Sequence, residues 1–346
     1  MNRVYIFYKI SFFFLLVAGC GQSVDQQRDA FILKGNLQLE KGEYQEAIRY
    51  FDEAILVDPN AADAYNNRGI AYTNIGRYPE AITDYTRAIQ SRSGYIDAYY
   101  NRADAYQLNT NYQRSLMDLD TVLHHYADSA YVHFSQGLAY SGLQQYDAAQ
   151  QAFTAAIRLD SMNPESWVNR GTSYYYQQRF GLAREDMQRA IERNPKESNA
   201  YNVLGLIYTD TEQYDSAQVA LSQALELEPY QPFFLNNRAY LYLQIDSLSQ
   251  AESDIKASLR LDPQNSYVYR NQGLLFLKQG RPKDAVRQLE RAVEIDSTTQ
   301  DSFLYLGNAY REIQQLNKAC VAWKQAVKNG NSKGEEAIQQ YCQSNL

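Results

Sequence analysis

The chain has 346 residues, a net charge of −7, three cysteines and three histidines. Its lysines and arginines are scattered, so the basic stripe that neutralises phosphates is missing and no nucleic-acid partner is expected. No HExxH, Gly-rich phosphate loop or nucleophile elbow is present, so neither an enzyme nor a metal or other cofactor is expected.

Residues 1–19 read as a cleaved secretory leader. Arg3 and Lys9 precede the apolar run Ile10–Gly19, which is too short for a comfortable membrane span. The run ends Leu16-Val17-Ala18-Gly19-Cys20, which resembles the bacterial lipobox. That resemblance implies cleavage before Cys20, a diacylglycerol on its sulfur and acylation of the new amine; an ordinary leader with a chance cysteine is the alternative. Gly21 stands where an inner-membrane protein of this type carries aspartate, which points to the outer membrane and leaves its periplasmic or surface face open. Residues 20–27 are expected to form a short polar tether, with the membrane as a partner through the lipid.

From Arg28 a 34-residue beat runs nine times: 28–61, 62–95, 96–129, 130–163, 164–197, 198–231, 232–265, 266–299 and 300–333. Position 8 is Gly or Ala throughout, as in Gly35, Gly69, Gly171 and Ala239, and position 20 is Ala except at Ser115. Positions 4, 8 and 11 form one helical stripe, rich in tyrosine, that defines a helix A; positions 20, 24 and 27 define a helix B. Gly42, Gly76 and Gly280 mark the turn between them, and Pro59, Pro195, Pro229 and Pro263 follow helix B. Small residues at 8 and 20 let the helices approach and large ones at 4, 11 and 24 fill the remaining space.

Trp167, Gly171 and Tyr174, followed in phase by Ala183, Ala190 and Pro195, resemble the tetratricopeptide repeat, as do Tyr201, Leu204, Gly205, Tyr208, Ala217, Ala224 and Pro229. The resemblance covers about residues 28–333 and implies an all-α, right-handed superhelical solenoid of nine helix-turn-helix repeats. Repeat one departs with Gln38, as suits a wet terminal copy, and repeat three with Ala103, Thr110, Ser115 and Ala127.

In this family the concave wall, formed by positions 2, 5, 6, 9, 12 and 13, binds extended segments. Position 6 carries Asn67, Asn101, Asn169, Asn237 and Asn271; position 5 carries Asn66, Tyr100, Phe134, Asn202, Asn236 and Arg270. An amide can pair with any peptide backbone, so these are the candidate binding residues. The other reading is that the asparagines support the helix surface. Family members that clamp acidic chaperone C-termini need cations at positions 2 and 5; here Arg270 is the only cation at position 5, so a neutral or basic segment suits better. Arg68, Arg102, Arg170 and Arg238, at position 7, lie nearer the helix A/B packing face and are expected to pair with acidic groups or helix carbonyls in a structural role.

Residues 334–346 are expected to supply a capping helix, over Gly334–Gln343, and a tail. An exported chain meets an oxidising compartment, so Cys320 and Cys342 are expected to bridge, tying the cap to repeat nine; two independent buried thiols are the alternative. The function expected is a membrane-anchored scaffold holding a peptide or protein partner in an envelope complex. The alternative is an accessory subunit of a cell-wall or polysaccharide assembly enzyme that contacts glycan.

Overall fold

The computed structural model describes residues 23–342. The leader and Cys20 lie outside the described residues. Two compact units are present, one ending at Ala127 and the other beginning at Asp128. The division falls at the end of repeat three, the copy that departs furthest from the pattern.

Among the described residues there are nineteen helices. In the first unit α1 (Val24–Glu40) and α2 (Tyr44–Val57), α3 (Ala62–Asn74) and α4 (Tyr78–Ser91), and α5 (Ile96–Leu108) and α6 (Tyr112–His125) form hairpins. In the second unit the pairs are α7 (Ala130–Gly142) and α8 (Tyr146–Leu159), α9 (Pro164–Tyr176) and α10 (Phe180–Arg193), and α11 (Ser198–Asp210) and α12 (Tyr214–Leu227). Then follow α13 (Pro232–Gln244) and α14 (Leu248–Leu261), α15 (Ser266–Lys278) and α16 (Pro282–Ile295), and α17 (Ser302–Glu312) and α18 (Leu316–Lys328), before the closing α19 (Ser332–Tyr341). Odd-numbered helices up to α17 are A helices and even-numbered ones B helices. Within each unit every B helix also packs on the next A helix, and successive A helices touch. The protein is an all-α repeat solenoid, as the periodicity predicts.

Two boundaries differ from expectation. The tether is already helical from Val24, because the Gln26 N–H donates to the Ser23 hydroxyl (3.2 Å) and the Ser23 N–H donates to the Gln26 side chain (3.1 Å). This reciprocal cap satisfies two otherwise orphaned donors. The closing helix starts at Ser332, capped by Asn331, two residues before Gly334.

The interface between A and B helices follows from size. A Cβ added at Gly35, Gly69, Gly137, Gly205, Gly273 or Gly307 would collide with Phe51, Tyr85, Phe153, Leu221, Leu289 or Trp323 respectively, each sixteen residues further on. These partners are almost fully buried, and burying each contributes about 1.5–3 kcal/mol. Position 7 adds charge to the same interface. Arg68, Arg102, Arg170 and Arg238 each donate two bonds, of 2.7–2.9 Å, to Asp84, Asp118, Asp186 and Asp254. Burial opposes charge on these guanidiniums, yet the paired carboxylates raise the pKa of all four.

Both connections recur. The A-to-B turn places one residue in the left-handed region in every repeat: Gly42, Gly76, Thr110, Gln144, Gln178, Glu212, Asp246, Gly280 and Gln314. The glycines adopt it without strain; the other side chains do not. After helix B, Asp58, Asp160, Asn194, Asp262 and Asp296 each accept a bond from the backbone N–H two residues on, at 2.8–3.1 Å. This side-chain turn stops the helix even where no proline follows.

Repeat one leaves Leu33 and Leu37 exposed, as expected of a terminal copy. At the other end α19 packs on α18. Tyr341 stacks on Trp323 at 5.6 Å, and Cys320 and Cys342 are joined as a disulfide with their Cα atoms 5.9 Å apart.

Candidate functional site: the A-helix face

The asparagines expected to line an open wall are instead spent on one another. In the first unit Asn101 donates to Asn66 (3.0 Å), Asn66 to Asn67 (3.0 Å) and Asn67 to Asn36 (2.8 Å). These bonds link α5 to α3 and α3 to α1. In the second unit Asn237 donates to Asn202 (2.9 Å), and Asn271 donates to both the side-chain oxygen (2.8 Å) and the carbonyl (2.9 Å) of Asn236. They link α13 to α11 and α15 to α13. Asn236 is 1 % exposed and Asn271 0 %. Buried and already bonded, Asn236 and Asn271 are closed to an incoming backbone, while Asn67, Asn101 and Asn237 are half-buried with one hydrogen bond each committed to the neighbouring repeat.

The remaining candidates divide. Phe134 is 9 % exposed and packs against Phe153, with ring centres 5.7 Å apart, so it belongs to the core. Asn169 donates to the Glu165 carbonyl of its own helix at 2.8 Å. Tyr100 is half-buried on α5. The Arg270 guanidinium is buried, with two bonds to the Asn271 side chain and one to the Gln300 carbonyl, and lies 5.0 Å and 5.1 Å from the ring centres of Tyr240 and Tyr267.

What the second unit does present is a group of tyrosines outside the framework positions. The Tyr175 hydroxyl, near the end of α9, donates to the Asp210 carboxylate at 2.7 Å. Tyr176, the last residue of α9, is 48 % exposed; its ring meets Tyr175 edge-on at 5.6 Å and stacks on Tyr146 at 5.1 Å. Burial, and after it the nearness of Tyr267 on α15, raises the pKa of both Tyr146 and Tyr176. Tyr240 and Tyr305 are joined by a side-chain hydrogen bond. Burial pushes Tyr176 and Tyr240 up to about 12 and Tyr175 and Tyr305 higher, so all four stay neutral donors. Burial also raises the Asp210 carboxyl, with Tyr175 pulling the other way. Asp210 nevertheless stays open to solvent.

Sequence reasoning placed positions 2, 6, 9, 12 and 13 on this wall but treated aromatic richness as packing. The missed signal was phase. Tyr267, Tyr305, Tyr240, Tyr175 and Tyr176 occupy those wall positions and not the large packing positions 4, 11 and 24.

The sequence model of the tetratricopeptide repeat matches residues 32–96, 134–175, 168–232, 236–301 and 270–332, leaving out most of divergent repeat three. No curated protein sequence matches the chain. Among solved structures, the Cut9-Hcn1 hetero-tetramer of APC/C is similar at 12 % identity and TM-score 0.60, over 92 % of this chain and 67 % of that one. PilF of Pseudomonas aeruginosa is similar at 19 % identity and TM-score 0.52, over 63 % and 99 %. MamA of Desulfovibrio magneticus RS-1 is similar at 22 % identity and TM-score 0.48, over 51 % and 99 %. At these identities the likeness is one of fold.

Proposed function

The chain belongs to the tetratricopeptide repeat family, and on that premise we propose that it is a membrane-anchored, non-enzymatic scaffold holding an extended segment of a partner protein in an envelope complex. The family and the fold support a protein-interaction scaffold. The anchor rests on the lipobox-like run ending at Cys20. One observation supports the choice of surface: several wall amides, Asn236 and Asn271 above all, are buried and bonded between helices, while Tyr176 and Asp210 stay accessible on the A-helix side.

The test is capture. A photoreactive phenylalanine analogue replaces Tyr176 in the full-length protein, and crosslinking is done in intact cells. One or a few envelope proteins, each joined through a single short segment, are expected. Capture of nothing, or of abundant proteins without preference, overturns the reading. Intact mass of the mature protein tests the anchor separately; an unmodified Cys20 refutes it.

A further inference from the structure

We infer that Asp210, flanked by Tyr175 and Tyr176, is the acceptor for an arginine side chain carried by the partner segment. This rests on the scaffold reading and specifies what the segment must contain.

Four observations point to a guanidinium. First, Asp210 is exposed, and among the described residues its carboxylate has a bond from Tyr175 but no ion-pair partner. Asp63, another wall acid, is by contrast bound by Arg92 and Tyr95. Second, Asp210 is the final residue of α11, and no basic residue lies in that helix's last turn. A carboxylate at the negative end of a helix dipole is unfavourable for folding, and an incoming cation relieves the carboxylate and the dipole together. Third, of the charges that bear on Asp210, Asp301 adds to its negative field, while Arg270 and Lys333 oppose it. Arg270 is buried and committed to Asn271 and Gln300, and Lys333 is exposed on α19, where solvent screens it. Fourth, the molecule already houses one guanidinium between Tyr240 and Tyr267 with an amide oxygen as acceptor. The Asp210 carboxylate, oriented by the Tyr175 hydroxyl, offers an oxygen acceptor of the same kind to a guanidinium from outside.

Arginine suits this site better than lysine, because its planar fork can take both carboxylate oxygens. An acidic segment or a free C-terminal carboxylate would meet repulsion at Asp210.

The probe is a ten-residue Gly/Ser peptide with one central arginine, titrated into full-length protein in detergent with tyrosine-ring NMR as readout. Matching peptides carry citrulline, a neutral isostere, or lysine. The arginine peptide is expected to shift the Tyr175 and Tyr176 rings, with lysine weaker and citrulline inert. D210N is expected to weaken binding on the order of tenfold, and D210E to restore most of it. Melting temperature checks folding, and removing the carboxylate from the end of α11 is expected to leave it unchanged or raise it. Equal response to citrulline, or no effect of D210N, overturns the inference. The crosslinking experiment separates the two readings: a captured segment without a basic residue near the crosslink sinks the arginine site and leaves the scaffold, whereas capture of nothing sinks both.

Discussion

Arg170 and Asp186, sixteen residues apart, close a two-bond clasp of 2.8 and 2.7 Å between helices A and B of repeat five, with the aspartate side chain only 6 % exposed. A third bond, from the remaining guanidinium nitrogen, reaches back to Thr154 on the preceding B helix at 3.1 Å. The clasp therefore couples neighbouring repeats as well as the two helices of one. Removing Arg170 alone strands a buried carboxylate. R170M is expected to cost about 3 kcal/mol, and R170M with D186L distinctly less, because the stranded charge is then gone. Urea unfolding of the two variants checks the order.

Adding a side chain has opposite effects at two glycines of the same unit. At Gly137 any side chain meets the buried Phe153 ring, so G137V is expected to lose about 1–3 kcal/mol. Gly181, on α10, has open space around its would-be Cβ and no positive φ. G181A is expected to gain about 0.5–1 kcal/mol from reduced unfolded-state freedom. Thermal melts in which both changes have the same sign would contradict the packing scheme.

Thr110 is β-branched and sits at φ 56°, at the turn position where repeats one, two and eight have glycine. T110G is expected to stabilise the first unit by about 1 kcal/mol through relief of left-handed strain. Chemical denaturation of wild type and variant measures it.

The Asp63 carboxyl is pushed up by burial, but the Arg92 and Tyr95 bonds more than reverse this and hold it below the ordinary carboxylate range. A depressed folded-state pKa means that the stabilisation is fully present above the unfolded value of about 3.9 and is lost as pH falls through the folded value. D63N should therefore be less stable than wild type at neutral pH, and the gap should close in acid. A gap that does not change with pH would show that the ion pair contributes nothing.

Cysteine chemistry gives the last prediction. With the Cys320–Cys342 bridge removed, C342S is expected to lose about 3 kcal/mol at the C-terminal end. Reductant should lower the wild-type melting point and leave the variant unchanged. Two free thiols in periplasmic material would remove the basis for both.

Much of this was open to reading before any coordinates. The repeat, its small and large columns and the position-7 arginines follow from size and phase alone. The aspartate partners were legible too, though only by comparing columns. Position 23 is aspartate in the four repeats that have arginine at position 7, and in no other. Asn at position 5 of one repeat likewise precedes Asn at position 6 of the next at Asn66 and Asn101, Asn202 and Asn237, and Asn236 and Asn271. The fate of those amides was not legible within a single repeat, because their bonds run between repeats. Asp210 was hidden for a different reason. One acid at a helix end looks ordinary until its neighbours from α9 and α15 are known.

The amide bonds between successive A helices have a mechanical consequence. They fasten α11 to α13 and α13 to α15, whereas among the described residues Asn169 turns back on its own helix and the Tyr175–Asp210 bond is what ties α9 to α11. A guest seated on Asp210 would therefore load the one strut across that joint, and amide exchange at the end of α9 should report its arrival.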